Sequence, residues 1–324
     1  MPRRLMGQFF RAYCVHRSSS TGYNKAALTV AYEEGRPCYP PQGIDALVKG
    51  IDLTSYTHPS REKKGRSASS TLTTTTTNVR YHLLDMAAGT GMLTRDIFKY
   101  LEQEKHEVST LRVAAVEPVQ AMRETFSSLY PHVKLFNGTA RNIPLEDACV
   151  ERIVVGQGFH WFSNAASLCE LARVLTPGGY LGLVWRTRDT TVPWIQELED
   201  LIAPYYALGG GTPRQQTGEW REVFNESSFF TQLVNISSPR DPTMITSTID
   251  VTLRSLLAHV LSLSVISCLA RSEQQTVLAE VEAIFKRERE RAPSDSDFSD
   301  AYANAGNQVK MRIVCEVYYA RKND

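Results

Sequence analysis

Leu83-Leu84-Asp85-Met86-Ala87-Ala88-Gly89-Thr90-Gly91 constrains this chain more than any other stretch. A short apolar run ends in an acid, passes through a turn of small residues and enters a helix expected to start at about Leu93. Strand, glycine turn, helix is how an α/β sheet presents backbone N–H groups and a helix N-terminus to a ligand. Gly89 and Gly91 lack the Cβ atoms that would hold a ligand away from the backbone. A dinucleotide fingerprint needs a third glycine three places after the second, and Thr94 stands there instead. The Lys-Ser/Thr pair of a nucleoside-triphosphate loop is also missing from this turn.

The next segments repeat the strand–helix alternation of a doubly wound sheet. Val113-Ala114-Ala115-Val116 reads as a second buried strand, ending in Glu117-Pro118. An acid at the end of the second strand of a nucleotide-binding α/β fold takes ribose hydroxyls, because a carboxylate accepts two hydrogen bonds from a diol; a plain strand-end charge is the alternative. Ile153-Val154-Val155 runs into Gly156-Gln157-Gly158-Phe159-His160-Trp161-Phe162. A helix is expected over Ala166 to Val174, then Pro177-Gly178-Gly179, then a strand from Tyr180 to Trp185.

The turn followed by Thr90-Gly91-Met92-Leu93-Thr94 resembles the S-adenosylmethionine turn of class I methyltransferases. "GQGFHWF", "RVLTPGG" and "VWRTRD" resemble more narrowly the small-molecule subfamily that includes the trans-aconitate methyltransferases. The likeness takes in Gly35-Arg36-Pro37-Cys38-Tyr39-Pro40, Val192-Pro193-Trp194, Gly218-Glu219-Trp220-Arg221 and Glu316-Val317-Tyr318-Tyr319-Ala320-Arg321. It implies a Rossmann-like, seven-stranded sheet with helices on both faces and a helical C-terminal cap. It also implies S-adenosyl-L-methionine as cofactor, held by Asp85, Ala87, Gly89, Thr90, Gly91, Glu117, Pro118, Thr139, Ala140 and Gln157. Tyr32, Arg36 and Tyr39 would belong to an N-terminal piece folding over the cofactor, with Arg36 facing a carboxylate. Trp161 and Phe162 would wall the sulfonium or the acceptor, with core aromatics as the alternative, and Trp185 would join them among the substrate or lid residues. Two positions depart from the pattern: Thr139 stands where an acid would take the adenine amino group, and Arg141 where an acid is commoner. A hydroxyl accepts that bond more weakly than a carboxylate.

Charge and composition narrow the partners. The net charge of +1 gives no global attraction to nucleic acid or anionic membrane, and no apolar run is long enough to span a bilayer. The six cysteines are scattered without a Cys-x-x-Cys pair, which argues for reduced thiols and against a zinc site. The first residues are basic, with no acid before Glu33. That composition fits either a disordered tail on a cytoplasmic enzyme, the reading adopted, or a mitochondrial transit peptide.

The expected organisation is a basic extension over 1–30, a helical lid segment over 31–56, a low-complexity insertion over 57–79, a cofactor-binding core over 80–190, and a cap with the last strands over 191–324. Within the cap, helices are expected over Trp194 to Tyr205, over Ile249 to Leu269 and from a capping box at Ser272 and Gln275, with a strand over Met311 to Tyr319. Methyl transfer from a sulfonium needs alignment and exclusion of water; no metal or covalent nucleophile is required. A hydroxyl acceptor would want a general base, for which His160 is best placed, whereas a carboxylate would not. A small-molecule methyltransferase is the leading expectation. A methyltransferase for RNA or protein, a non-catalytic S-adenosylmethionine-binding protein and a nicotinamide dehydrogenase are the rivals.

Overall fold

A computed structural model describes residues 35–56, 80–208, 214–236, 245–291 and 307–324. Tyr32, the basic extension, the insertion over 57–79 and the Gly209-Gly210-Gly211 run therefore lie outside the described residues. In chain order the longer elements are α1 (Pro41–Gly50), β1 (Tyr81–Met86), α2 (Met92–Gln103), β2 (Val113–Val116), α3 (Gln120–Leu129), β3 (Lys134–Phe136), β4 (Val150–Gly156), α4 (Ala165–Val174) and β5 (Leu175–Arg188). They continue with α5 (Pro193–Leu208), β6 (Val234–Asn235), β7 (Thr246–Thr252), α6 (Leu253–Leu261), α7 (Arg271–Arg291) and β8 (Gln308–Arg321).

The strands form one eight-stranded sheet in the order β3-β2-β1-β4-β5-β8-β6, with β7 paired to β8. Neighbours among β1 to β5 run parallel, while β6 and β7 lie antiparallel to β8. The strand order reverses at β1 and β4, which is where ligands bind in open α/β sheets. Seven strands were expected, and β7 is the eighth.

The chain divides into two compact units, one of Tyr39–Arg186, Gly218–Ile245 and Cys315–Asp324, the other of Met1–Cys38, Thr187–Thr217 and Thr246–Val314. Residues 191–324 are thus shared between the two units. In the first unit the period-2 alternation of the strands separates two cores. Leu84, Met86, Val116, Ile153 and Val155 join Leu168 and Leu171 of α4 on one face. Leu83, Val113, Ala115 and Val154 join Ile44, Leu47 and Val48 of α1, with Leu93 and Ile97 of α2, on the other. Helix α1, expected as part of a lid, is packed against this sheet. In the second unit Trp194, Ile195 and Leu198 of α5 pack with Leu256 and Val260 of α6 and Val277, Val281 and Phe285 of α7.

Three local expectations are corrected. Residues 246–252 form strand β7 where a helix was expected from Ile249, because Thr246, Thr248, Ile249, Val251 and Thr252 are β-branched and the segment pairs with Gln308 to Val314. The helix starts only after Thr252, whose Oγ1 accepts from Ser255 N while Ser255 Oγ accepts from Thr252 N. Helix α7 begins at Arg271, and it is the Glu273 carboxylate that reaches back to accept from Ala270 N, so Ser272 lies inside the first turn. In β5, Val150 pairs with Leu175 and Arg152 with Tyr180, so the Pro177-Gly178-Gly179 segment bulges out of a strand that starts before it.

Among the described residues no helix is long and apolar enough to cross a membrane, and no group of three or more His, Cys, Asp or Glu could hold a metal ion.

Candidate cofactor site

The site is built at the carboxyl ends of β1, β2, β4 and β5. Asp85 is buried near the end of β1, and its Oδ2 accepts from Thr94 Oγ1 at 2.6 Å. Thr94, at the position a dinucleotide fingerprint gives to glycine, thus ties the first turn of α2 to the acid. Burial pushes the Asp85 carboxyl up to about 7, with the bonds from Thr94 acting in the opposite sense and nearby Glu117 in the same one.

The turn itself is left-handed at Ala87 (φ 59°), Gly89 (φ 58°) and Gly91 (φ 95°). Gly91, the N-cap of α2, has no side chain to bond the first N–H groups, and the Asp85 carboxylate accepts from the backbone N–H of Thr94 in that first turn. Ala87 carries left-handed strain that a glycine would not. What fixes the turn is Glu117 at the end of β2. Its Oε2 accepts from Gly89 N at 2.8 Å and its Oε1 from Val119 N at 2.8 Å. Burial raises its pKa, against the lowering effect of those two backbone bonds. Each carboxylate oxygen keeps a second lone pair, so acceptance of ribose hydroxyls is compatible with these bonds.

Three buried side-chain atoms here, Asp85 Oδ1, Thr90 Oγ1 and Arg186 Nη1, make no hydrogen bond. Each such group costs about 1–3 kcal/mol unless a ligand supplies its partner. A polar ligand with cationic and anionic groups fits that donor and acceptor set.

The other expected residues divide. Gln157, in a left-handed conformation after β4 (φ 60°), donates from Nε2 to Arg186 O at 2.8 Å. Pro118 and Thr139 are exposed, and Ala140 is buried in the core beside them. The backbone of Thr139 is held by reciprocal bonds with Asn142. Tyr39 is buried: its N–H donates to Asp96 Oδ2 at 2.8 Å, and a Cβ on Gly156 at the end of β4 would fall 2.5 Å from its hydroxyl. Arg36 belongs to the second unit, where Nε donates to Ser262 Oγ at 3.0 Å and Nη2 to Ser262 O at 3.2 Å.

Trp185 is corrected from acceptor wall to core. It is 1% exposed and lies 4.4 Å, centroid to centroid, from Trp220, with Tyr318 edge-on at 6.0 Å. Phe162 packs against the same core beside Phe159. Trp161 is 49% exposed. His160 Nδ1 accepts from Trp185 Nε1 at 3.2 Å, which puts the proton of the neutral ring on Nε2. In that tautomer the ring is a hydrogen-bond donor at Nε2.

Arg186 and Asp96 were missed as site residues. Arg186 ends the apolar run Leu181 to Trp185, and a charge at the end of a buried strand was the signal. Asp96 sits on α2 among charged residues and gives no sequence signal; its carboxylate joins Tyr39 N and Arg95 Nε.

Known proteins bear on this geometry. Residues 84–183 match a family model described as a methyltransferase domain. The chain is 34% identical over 189 residues to an uncharacterized methyltransferase of Mycobacterium tuberculosis, covering 58% of this chain and 62% of that one. An uncharacterized methyltransferase-like protein of Schizosaccharomyces pombe is 35% identical over 147 residues, covering 45% of this chain and 53% of that one. The chain therefore spans about three fifths of the length of the mycobacterial relative. A solved structure described as a type II methyltransferase from Anaeromyxobacter dehalogenans superposes with a TM-score of 0.52 at 18% identity, covering 89% of this chain and 97% of that one. That likeness shows a Rossmann-like α/β fold with helices on a mostly parallel sheet.

Asp85 holds its proton more tightly folded than unfolded, so its contribution to stability is full below its ordinary value of 3.8 and is lost as pH rises through about 7. Asp85→Asn keeps an oxygen for Thr94 and cannot ionise. The melting midpoint of the unliganded variant should therefore gain on that of the parent between pH 5 and pH 8. A gap between the two that stays constant with pH would refute this.

Proposed function

We propose that the chain transfers a methyl group from S-adenosyl-L-methionine to an oxygen of a small-molecule acceptor, a carboxylate or a hydroxyl. The observation that carries the reading is the bond from Gly89 N to Glu117 Oε2, which sets the left-handed turn and the acid after β2 side by side at the switch point of the sheet. Glu117 would hold the ribose, and Asp85 with the backbone of 87–91 the amino-acid portion. The cofactor supplies an electrophilic methyl already activated by the sulfonium charge.

The work left to the residues is placement and exclusion of water. Gln157, anchored to Arg186 O, fixes the end of β4 where an acceptor would meet the methyl. Trp161, the exposed aromatic of the following loop, would shield that edge. His160 would donate a hydrogen bond from Nε2, orienting an acceptor oxygen without removing its proton. That role suits a carboxylate, which is anionic at neutral pH and needs no base. The net charge of +1 supports a small acceptor over a nucleic acid.

The test is transfer of labelled methyl from S-adenosylmethionine into a cell extract separated into small-molecule, protein and nucleic-acid fractions. Label is expected in the small-molecule fraction, and none with Gly89→Arg, whose side chain would occupy the turn. Label confined to protein or nucleic acid would transfer the acceptor to that class. No label anywhere, with no binding of the cofactor, would sink the enzymatic reading.

A further inference from the structure

Among the described residues, Arg186 is a buried cation without a carboxylate counter-ion. It is 7% exposed, and Nη1 is buried with no hydrogen-bond partner. Among the described residues no carboxylate lies within ion-pair distance of it. Its guanidinium carbon sits 4.3 Å from the centroid of the Tyr39 ring, and Nη2 meets only the weak acceptor Met92 Sδ, at 3.8 Å. Asp96, the acid held by Tyr39, is already taken by Tyr39 N and Arg95 Nε.

The surroundings hold the group in place without neutralising it. The aromatic face of Tyr39 orients the guanidinium plane. The Arg186 carbonyl is fixed by Gln157 Nε2, and Met92 opens α2 directly after the turn. The unpartnered edge therefore belongs to the end of the sheet that carries the turn. An unpaired buried charge costs several kcal/mol, a cost that an incoming anion would offset. The fork of an arginine matches a carboxylate bidentately.

We propose that Arg186 is the anion-binding residue of this site and takes up the carboxylate of a bound ligand. The inference rests on the reading of the site as one for S-adenosylmethionine and an acceptor. Two ligands could bring the carboxylate: the cofactor, through its amino-acid tail, or the acceptor.

The experiment uses the full chain, Arg186→Met and Arg186→Lys, with affinities measured by calorimetry. The probes are S-adenosylhomocysteine, which carries the amino-acid tail, and 5′-methylthioadenosine, which lacks it. Succinate, a simple dicarboxylate, is added to protein saturated with S-adenosylhomocysteine. If the cofactor brings the carboxylate, Arg186→Met weakens S-adenosylhomocysteine by about 10- to 100-fold and leaves methylthioadenosine unchanged. If the acceptor brings it, both nucleosides bind as before, and the binding of succinate to the loaded parent is lost in Arg186→Met. In either case Arg186→Lys falls between, and the melting midpoint of Arg186→Met is no lower than the parent's, because an uncompensated charge has been removed. A parent-like pattern in both arms, or a lower midpoint with unchanged binding, makes Arg186 structural and overturns the inference. Absence of nucleoside binding by the parent itself would instead overturn the cofactor reading, and this inference with it.

Discussion

Gly91→Ala is expected to cost about 3–5 kcal/mol of stability, the largest effect of any single methyl group added to the turn. Two mechanisms add. The backbone at Gly91 has φ 95°, well outside what an L-residue adopts without strain. A Cβ there would also lie 2.6 Å from Tyr130 Cε2 and 2.9 Å from Phe126 Cδ2. Those rings are packed on each other at 5.2 Å between centroids, with Phe98 edge-on to Tyr130 and Phe126 fully buried, so the added methyl must displace packed aromatics. Gly89→Ala is the internal control. It shares the left-handed conformation, φ 58°, but its Cβ would meet only Met122 Sδ, at 3.7 Å. It should cost about 1–2 kcal/mol. Urea denaturation of both variants measures the difference, and equal costs would show that the aromatic packing does not constrain the turn.

Glu117→Ala is expected to weaken S-adenosylhomocysteine binding by about 100-fold or more, in keeping with the loss of charge-assisted bonds to a ribose diol. The substitution also strips the acceptor from Gly89 N and Val119 N. Turn and ligand should therefore fail together. Glu117→Gln separates the two contributions. Its single carbonyl oxygen can satisfy one of the two N–H groups, while its amide nitrogen faces the other donor to donor. An intermediate loss of affinity is expected, with a folded circular dichroism spectrum. Glu117→Ala binding as tightly as the parent would remove Glu117 from the cofactor site and leave it a purely structural clamp.

The two variants show how unequally the site was legible. The turn, its acid and the acid after β2 could be read because they are contiguous, and their chemistry follows from residue type and spacing. Backbone conformation at Gly89 and Gly91 is local, so the sequence carries it. Trp185 misled because an aromatic at the end of a strand has the same signature whether it faces a ligand or a core. Only the packing with Trp220 and Tyr318, brought from 35 and 133 residues away, buries it. Arg186 is the converse: one residue on, its identity was plain, but the lack of a carboxylate partner among the described residues depends on how the fold places acids distant in the chain.

The N-terminal and C-terminal parts divide in the same way. Helix α1 has an amphipathic sequence, yet nothing local says that its apolar face meets the sheet. Strand β7 and the helix after it share one mostly apolar stretch, and pairing with β8 decides where strand ends. The sequence by itself determined the alternation of strands and helices, the position of the turn and the kind of ligand it suits, since these depend on short-range sterics and hydrogen-bonding chemistry. Tertiary structure alone decided the tautomer of His160, the burial of Trp185, the raised pKa of Asp85 and the isolation of Arg186. Each of those is set by groups distant in the chain, through the desolvation and pairing that folding imposes.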